Sequence, residues 1–382
     1  MTAPDSPAPN PAPRTQQLVL LGAGHAHIQV LVQLAAQPLP GTVVVLVAPH
    51  PSQLYSGMVP GFVAGHYALD DCTVALEPLV QRSGIRWIQH SATAVDAQRQ
   101  TIALDDGSSL AFDWLSVNTG PVQDRDKLEL AMPGAREHGL FLRPMEAFCA
   151  LWPRVVDMGN ARPLRVAVVG AGAGGIELAL AARHRLSNAA VTLVCGTEPP
   201  GAVYPLTVQR RLLAVLKKRR VTVLQDTAMS LTADAIQLGC GADLACDVPL
   251  LATGAQAPRW LADSGLALDE HGFLAVDMYQ RSTSHSRVFA AGDVSTRTDR
   301  SLARSGVYAV RAGMALAFNL AAAITGTALK PHQPPAATLN LLSCGGKYAV
   351  ATWGRFSAQG RWVWWLKNWI DRRFVARFSR PS

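Results

Sequence analysis

The sequence has few charged residues and no long apolar run. Only 16% of its 382 residues are charged and 49% are hydrophobic, which is typical of a globular chain and excludes a disordered one. A chain of this length predicts two or three domains. The longest apolar candidate, Ala312–Ile324, contains Asn319 and is shorter than the ~20 residues that span a bilayer. We therefore expect no transmembrane helix.

The cysteines are too widely spaced to indicate a metal site or a local redox disulfide. No CxxC or CxxxxC pair occurs among Cys72, Cys149, Cys195, Cys240, Cys246 and Cys344. Reduced thiols in a cytoplasmic protein are the simplest interpretation, and no metal is expected. Residues 1–15 are rich in Pro and Ala and lack the basic start and apolar core of a signal peptide, so they predict a disordered leader.

Positive charge is concentrated at the C-terminal end of the chain. The formal net charge is +8, and residues 355–382 hold seven Lys or Arg against the single acid Asp371. No DNA- or RNA-binding signature accompanies this charge, so nucleic acid is not an expected partner. A basic tail rich in tryptophan favours peripheral contact with a membrane surface, on its cytoplasmic face.

The tryptophan-rich tail predicts a helix with two unlike faces. On a helix, one face carries Trp362, Trp365, Leu366, Trp369 and Arg373, and the other carries Trp364, Lys367, Asp371, Arg372 and Val375. Aromatic side chains beside Arg and Lys fit a helix at a lipid interface. The alternative is a helix packed on the body of the protein or on another subunit, and a homodimer is accordingly a further expectation.

The stretch Leu18–Val30, reading LVLLGAGHAHIQV, predicts a dinucleotide-binding turn. A buried strand runs into Gly22 and Gly24, and a helix begins near His25. Gly22 permits a tight turn, Gly24 lets backbone N–H groups approach a pyrophosphate, and the helix N-terminus supplies partial positive charge. His27 stands where the fingerprint has its third glycine.

The residues after this first turn depart from the dinucleotide-binding pattern. The strand Thr42–Ala48 is followed by Pro49 and His50, where an Asp or Glu usually binds the adenosine ribose. The segment Leu54–Tyr67 has three glycines and no periodicity, which predicts a loop. Its apolar residues favour contact with a planar cofactor, with Tyr55 as a candidate, over an ordinary surface loop.

A second, complete fingerprint follows the strand Leu164–Val169. Gly170, Gly172 and Gly175 match G-x-G-x-x-G between a strand and a helix, the context that this motif needs. Glu177 in the first helical turn is either a helix-stabilising acid or a group near a bound nicotinamide.

The residues after the second fingerprint leave the choice between NADH and NADPH open. A ribose acid is again missing from the strand end, although Glu198 is close enough to substitute. The basic run 217–220 is most simply a solvated helix end, and binding of an NADP phosphate is its alternative.

A third signal lies at Val288–Val294, reading VFAAGDV. A buried strand that ends in Gly292-Asp293 places a carboxylate at the carboxyl edge of a parallel sheet, where ligands collect. Asp293 is positioned to accept hydrogen bonds from flavin ribitol hydroxyls. The helix that begins at Gly306 directs its N-terminus toward a flavin. Gly120 and Gly254 end the two small-residue segments that cross between domains.

Taken together, the motifs GAGHAH, GAGAGG, Ala252-Thr253-Gly254 and AAGDV resemble the pyridine nucleotide–disulfide oxidoreductase superfamily in order and spacing. Within it, the chain resembles the type II NADH dehydrogenase branch. The stretches LGAGHAH and LYSGMVPGFVAGHY most resemble flavoproteins fused to or encoded beside selenophosphate synthetase. The resemblance implies FAD at Gly22, Gly24 and Asp293, and NAD(P)H at the second fingerprint with Glu177 near the nicotinamide. It also implies a quinone as the electron acceptor.

The expected fold is α/β, with two Rossmann-like domains and a small C-terminal domain. The FAD-binding domain comprises residues 16–125 and 262–330, the NAD(P)H-binding domain residues 126–261, and the third domain residues 331–382. The expected activity is hydride transfer from NAD(P)H through FAD to a quinone-type acceptor.

Two other functions are compatible with the sequence. One is sulfide:quinone oxidoreductase activity, with Cys149 and Cys344 relaying sulfur across the flavin. The other is a non-catalytic flavin-binding redox partner in selenium metabolism, which the missing ribose acids allow.

Overall fold

The computed structural model describes residues 15–379, so the predicted leader, apart from residue 15, lies outside the described residues. Within that range the α-helices are α1 His25–Ala36, α2 Val59–Val63, α3 Glu77–Ser83, α4 Arg125–Ala131, α5 Ala135–His138, α6 Met145–Ala161, α7 Ala173–Arg185, α8 Leu206–Lys218, α9 Gly306–Thr325 and α10 Arg361–Ser379.

The strands of the same range form seven sheets. They are β1 Gln16–Leu21, β2 Thr42–Val47, β3 Ser52–Leu54, β4 Thr73–Ala75, β5 Arg86–Ile88, β6 Ala92–Asp96, β7 Thr101–Leu104, β8 Ser109–Ala111, β9 Trp114–Val117, β10 Leu140–Phe141, β11 Arg165–Val169, β12 Ala190–Val194, β13 Val221–Leu224, β14 Ala228–Leu231, β15 Ala235–Leu238, β16 Asp243–Ala245, β17 Val248–Leu251, β18 Leu274–Val276, β19 Val288–Ala290, β20 Ser295–Arg297, β21 Leu339–Ser343, β22 Ala349–Trp353 and β23 Phe356–Gly360.

Two five-stranded parallel sheets form the framework. The first has the order β19-β9-β1-β2-β5 and the second the order β10-β17-β11-β12-β13. In each, the strand before a glycine fingerprint is central, and its apolar side chains are buried on both sides, as parallel sheets require. The α/β fold with two Rossmann-like cores is therefore confirmed.

Several predicted elements differ in extent or type. The loop predicted over Leu54–Tyr67 contains helix α2, because Pro60 in its first turn presets the helical backbone angle. The strand expected to end in Gly292-Asp293 ends at Ala290, since Gly292 has a φ of 76°. The helix whose basic end was predicted at residues 217–220 begins at Leu206, directly after Pro205, and ends at Lys218.

Helix α9 is longer than the apolar stretch expected from the sequence. It has 20 residues, and by length and composition alone it could cross a membrane. It packs on α1, and an added Cβ at Gly313 would lie 2.9 Å from the Ala26 carbonyl oxygen. Asn319 is fully buried and donates hydrogen bonds to the Tyr279 and Lys330 carbonyls. One face of α9 therefore packs in the core, whereas Met314 and Phe318 on the same helix remain exposed.

The tail forms the three-stranded antiparallel sheet β21-β22-β23, followed by α10. The helix was predicted, and its packing on the body was one of the two alternatives that the sequence left open. Trp364, Lys367, Asp371 and Val375 are buried against the body. The buried charges are neutralised locally, because Lys367 Nζ lies 2.7 Å from Asp371 Oδ2 and donates to the Gly57 carbonyl at 2.7 Å.

The opposite side of α10 is exposed. Trp362, Trp365 and Trp369, hereafter the aromatic face, have relative exposures of 60%, 51% and 57%. Two more exposed aromatic residues, Trp353 and Phe356, lie where β22 turns into β23. The tail thus packs on the body through one face and leaves large aromatic side chains on its surface.

Candidate functional site

A cavity of about 830 Å³ opens at the carboxyl end of the first parallel sheet. Its volume is within the ~300–1,000 Å³ of small-molecule and cofactor sites. Most of the residues predicted to bind FAD line it, although they come from distant parts of the chain. These residues are Gly22, Gly24, His25, Gly120, Gly292, Asp293 and Gly306.

The first glycine turn is held closely against the end of β9. An added Cβ at Gly22 or Gly24 would lie 2.7 or 2.5 Å from the Asn118 carbonyl oxygen. The Asn118 side chain accepts hydrogen bonds from the backbone N–H groups of Ala26 and His27, at 3.0 and 3.1 Å, and donates to the Ala291 carbonyl. Asn118 therefore ties the turn, the start of α1 and the segment before Asp293 together.

His27 replaces the third glycine of the first fingerprint with a hydrogen-bonded core residue. Its side chain is fully buried, with Nδ1 2.5 Å from the Gly22 carbonyl oxygen and Nε2 2.8 Å from Ser116 Oγ. Burial lowers the pKa of His27 to about 4, so the ring is neutral at physiological pH. His27 thus stabilises the glycine turn although it departs from the motif.

The wall of the cavity carries groups that suit a phosphate-containing ligand. The Asp293 carboxyl is largely buried, which raises its pKa, and the cations Arg143 and Arg304 oppose this shift. Arg143 lines the cavity and makes no ion pair within 4.0 Å in the described part of the chain. His25 Nε2 is buried and has no hydrogen-bond partner there. These polar groups fit FAD, whose hydroxyls and phosphates could satisfy them.

Arg143 and Asn118 are the site residues that the sequence did not indicate. Arg143 lies outside any motif, and it enters the cavity because β10 and α6 bring its segment to the end of the first sheet. Asn118 was noted only as part of a crossing segment. An asparagine directly after a buried strand, beside a glycine turn, is the signal that could have identified it.

Tyr55 lies behind the cavity wall, where its neighbour Ser56 is a lining residue. Its ring stacks on Phe374 of α10 with centroids 4.4 Å apart, and His25 lies 5.4 Å from it edge-on. Burial and the nearby Asp371 raise the pKa of Tyr55, so the phenol is protonated. Tyr55 therefore connects the cavity wall to the tail helix.

The second glycine fingerprint has both tight and open positions. Gly170 has a φ of 112°, and an added Cβ at Gly175 would lie 1.8 Å from the Gly170 carbonyl oxygen. By contrast, an added Cβ at Gly172 or Gly254 would meet no atom within 4 Å. The turn is thus closely packed at Gly170 and Gly175 and open at Gly172, as a dinucleotide-binding turn must be.

Glu177 faces the tail domain. Its Oε1 accepts a hydrogen bond from the Ser343 backbone N–H at 2.7 Å. Burial raises the pKa of Glu177 to about 7, and Lys367 and the Ser343 N–H partly oppose the shift. A carboxyl with this pKa exchanges a proton near neutral pH.

This pKa predicts a pH-dependent stability. Because the pKa of Glu177 is raised above its unfolded value near 4.5, the folded state binds an extra proton between about pH 4.5 and 7. We expect the free energy of unfolding to fall by about 2 kcal/mol as the pH rises from about 4.5 to 7. Glu177→Gln is expected to remove this fall. Urea unfolding at both ends of the window measures it. Glu198→Gln is the matched control, and an identical fall in Glu177→Gln would contradict the assignment.

The two cysteines of the sulfide hypothesis are buried free thiols. Cys149 and Cys344 have relative exposures of 1% and 0%, and no disulfide joins them. Burial raises the pKa of each thiol to about 12. Cys344 lies near Glu177 and Arg219, whereas Cys149 lies near Glu146 and Cys72. Neither thiol is ionised near neutral pH, as a nucleophile must be.

The chain belongs to the pyridine nucleotide-disulphide oxidoreductase family, whose model matches residues 16–315. FAD and NAD(P)H are the cofactors of this family, so the protein is an oxidoreductase of the flavoprotein class.

Similar proteins agree with this class. The chain is 25% identical to the demethylphylloquinone reductase NdbB of Synechocystis over 272 residues, which cover 67% of this chain and 66% of that protein. It also resembles the solved sulfide:quinone oxidoreductase of Aquifex aeolicus, with a TM-score of 0.78, 16% identity and 95% and 91% of the two chains covered. The solved structure of NDH2 from Plasmodium falciparum in complex with NADH is similar as well, with a TM-score of 0.76 and 13% identity. This match covers 96% of this chain and 99% of that chain. At these identities the solved structures establish the fold alone.

Proposed function

We propose that the protein is an FAD-dependent NAD(P)H:quinone oxidoreductase. The observation that carries the proposal is the cavity at the carboxyl end of the first sheet, which collects Gly24, Asp293 and Gly306 beside a second, separate dinucleotide fingerprint. One site for a flavin and one for a nicotinamide cofactor are what a hydride-transferring flavoprotein needs. The similarity to a demethylphylloquinone reductase supports a quinone as acceptor.

The residues of the first site divide the binding of FAD among them. Backbone N–H groups at Ala23 and His25 would receive the pyrophosphate, because those of Gly22 and Gly24 already donate to the Val47 and Asn118 carbonyls. The Arg143 guanidinium would add positive charge. Asp293 accepts hydrogen bonds from ribitol hydroxyls. The N–H groups that begin α9 at Gly306 stabilise negative charge on the ring. When bound there, FAD supplies two-electron chemistry between NAD(P)H and the quinone.

The second site orients the nicotinamide cofactor. The open positions Gly172 and Gly254 receive its pyrophosphate and the chain that follows, and the positive end of α7 favours the phosphates. Glu177 contacts the tail through the Ser343 backbone N–H, so it could hold a proton at the boundary between the tail and the domain of the second fingerprint. We propose that it exchanges this proton during turnover.

Anaerobic stopped-flow absorbance tests the proposal directly. Mixing the flavin-loaded enzyme with NADH or NADPH is expected to bleach the flavin spectrum, and a quinone is expected to restore it. A flavin that stays oxidised with both nucleotides would contradict the enzyme and favour the non-catalytic redox partner. Full bleaching without reoxidation by any quinone would contradict the acceptor. The preferred nucleotide is read from the same experiment.

Sulfide oxidation is disfavoured by the buried, protonated thiols. We expect the double variant Cys149→Ser/Cys344→Ser to keep its NADH-driven quinone reduction within about twofold, since no thiolate is required for hydride transfer. Sulfide is expected not to bleach the wild-type flavin in the same instrument. Bleaching by sulfide that the double variant loses would establish the alternative.

Membrane contact by the tail is part of the proposal, because quinones partition into lipid. The aromatic face and the exposed Trp353 and Phe356 supply side chains suited to the lipid interface. We propose peripheral attachment, on the cytoplasmic side of the membrane. The specific resemblance to flavoproteins associated with selenophosphate synthetase stays a prediction from the glycine-rich segments.

A further inference from the structure

A group of cations surrounds the turn at Gly345-Gly346, where both dinucleotide domains meet the tail. Arg185 ends α7 and contacts Gly65, since an added Cβ there would lie 2.9 Å from its Nη1. Arg219 directly follows α8, and an added Cβ at Gly346 would lie 2.9 Å from its Nη2 atom. Lys347 comes next in the tail. We call Arg185, Arg219 and Lys347 the basic junction.

Two histidines hold this junction together. His66 Nε2 lies 2.7 Å from the Gly345 carbonyl oxygen, and its ring centroid lies 5.2 Å from that of His184. An added Cβ at Gly345 would lie 3.1 Å from the His184 Cβ. The pKa of His184 is lowered, first by burial and then by His66, Arg219 and Arg185. The neighbours that act on His184 are all basic.

The junction lacks countercharges. Within residues 15–379, no carboxylate oxygen lies within 4.0 Å of Arg185, Arg219 or Lys347, and none of the three side chains donates a hydrogen bond. All three are exposed. The dipoles of α7 and α8 explain why basic residues are tolerated at the two helix ends. They do not explain why cations from three separate segments converge without an acid among them.

The junction is continuous with the aromatic face. Lys347 Nζ lies 5.6 Å from the centre of the Trp365 ring and 5.7 Å from that of Trp364. The basic run 217–220 contributes Arg219 to the junction. Cations next to exposed tryptophans match a lipid surface, where phosphates lie just outside the level that tryptophan rings occupy.

We propose that the basic junction binds the phosphate headgroups of an anionic phospholipid surface while the aromatic face enters the adjoining interface. The inference rests on the proposed membrane contact of the tail and adds its lipid class. It assigns the basic run of the second domain to the membrane, rather than to an NADP phosphate. Charge complementarity between unpaired cations and anionic headgroups carries the assignment.

The test measures partitioning of the flavin-loaded enzyme onto vesicles of phosphatidylcholine, with and without phosphatidylglycerol. We expect the wild type to prefer the anionic vesicles and Arg185→Gln/Arg219→Gln to weaken that binding by about 10- to 30-fold. Binding to phosphatidylcholine alone is expected to be unchanged. Arg185→Lys/Arg219→Lys, which keeps both charges, is expected to retain most of the preference.

The matched control, Arg86→Gln/Lys127→Gln, removes two exposed charges from the first sheet and α4. An equal loss of binding to anionic vesicles in this control would show that only the net charge matters, and it would overturn the site. Equal binding of the wild type to both vesicles would overturn it as well, and so would displacement by inorganic phosphate at constant ionic strength. Reduction of a water-soluble quinone without vesicles is assayed on the same samples, so failure of the proposed activity is distinguishable from failure of lipid binding.

Discussion

Gly24→Ala is expected to yield a protein that has lost most of its yellow colour. The added methyl group would lie 2.5 Å from both oxygens of Asn118, so the first turn must move away from β9. Overpacking of this kind costs roughly 1–3 kcal/mol, which weakens FAD binding by about 10- to 100-fold. The flavin-to-protein absorbance ratio and titration of the apoprotein with FAD measure the change.

Gly174→Ala is the control for this result. It adds the same methyl group in the second turn, where no atom lies within 4 Å and the backbone is helical. This variant is expected to keep a full complement of FAD. Full occupancy in Gly24→Ala as well would show that the cavity is not the flavin site.

Gly175→Ala is expected to separate the two cofactors. Its added Cβ would lie 1.8 Å from the Gly170 carbonyl oxygen, so the second turn must distort while the first is untouched. We expect the variant to keep FAD and its reduction by dithionite, but to lose about 100-fold in the rate of flavin reduction by NADH, because a displacement of ~1 Å can cost this much. Stopped-flow absorbance at several NADH concentrations measures the rate.

Gly174→Ala again provides the comparison, since it changes the neighbouring residue of the same helix. Its rate of reduction is expected to stay within a few-fold of the wild type. A normal rate in Gly175→Ala would contradict the placement of the nicotinamide cofactor at this turn.

The parts of the fold that the sequence predicted are those encoded by contiguous residues. Each strand–glycine–helix unit carries its own apolar run, its turn and its helix start, so Leu18–Val30 and the segment around Gly170 could be identified directly. The convergence of Asp293 and Gly306 on the first turn also followed, because the carboxyl ends of parallel strands lie along one edge.

The remaining features depend on partners far away in the chain. The sequence indicated the two faces of α10, but it did not indicate that Lys367 and Asp371 neutralise each other in a buried position, where Lys367 also donates to the Gly57 carbonyl. Arg143 reaches the cavity only because β10 joins the edge of the second sheet. No local pattern records such long-range pairings, so the sequence left open which face of α10 packs on the body.

The contacts of α10 with the body determine how the enzyme would lie on a bilayer. Moving the helix away would break the hydrogen bonds from Lys367 Nζ to the Gly57 carbonyl and from the Tyr67 hydroxyl to Asn368 Oδ1, and the stacking of Phe374 on Tyr55. Helix α10 is therefore held in a fixed position on the body. Under the proposed membrane contact, the distance between the cavity and the lipid surface would then be fixed, and a quinone would have to cover that distance to reach the flavin site.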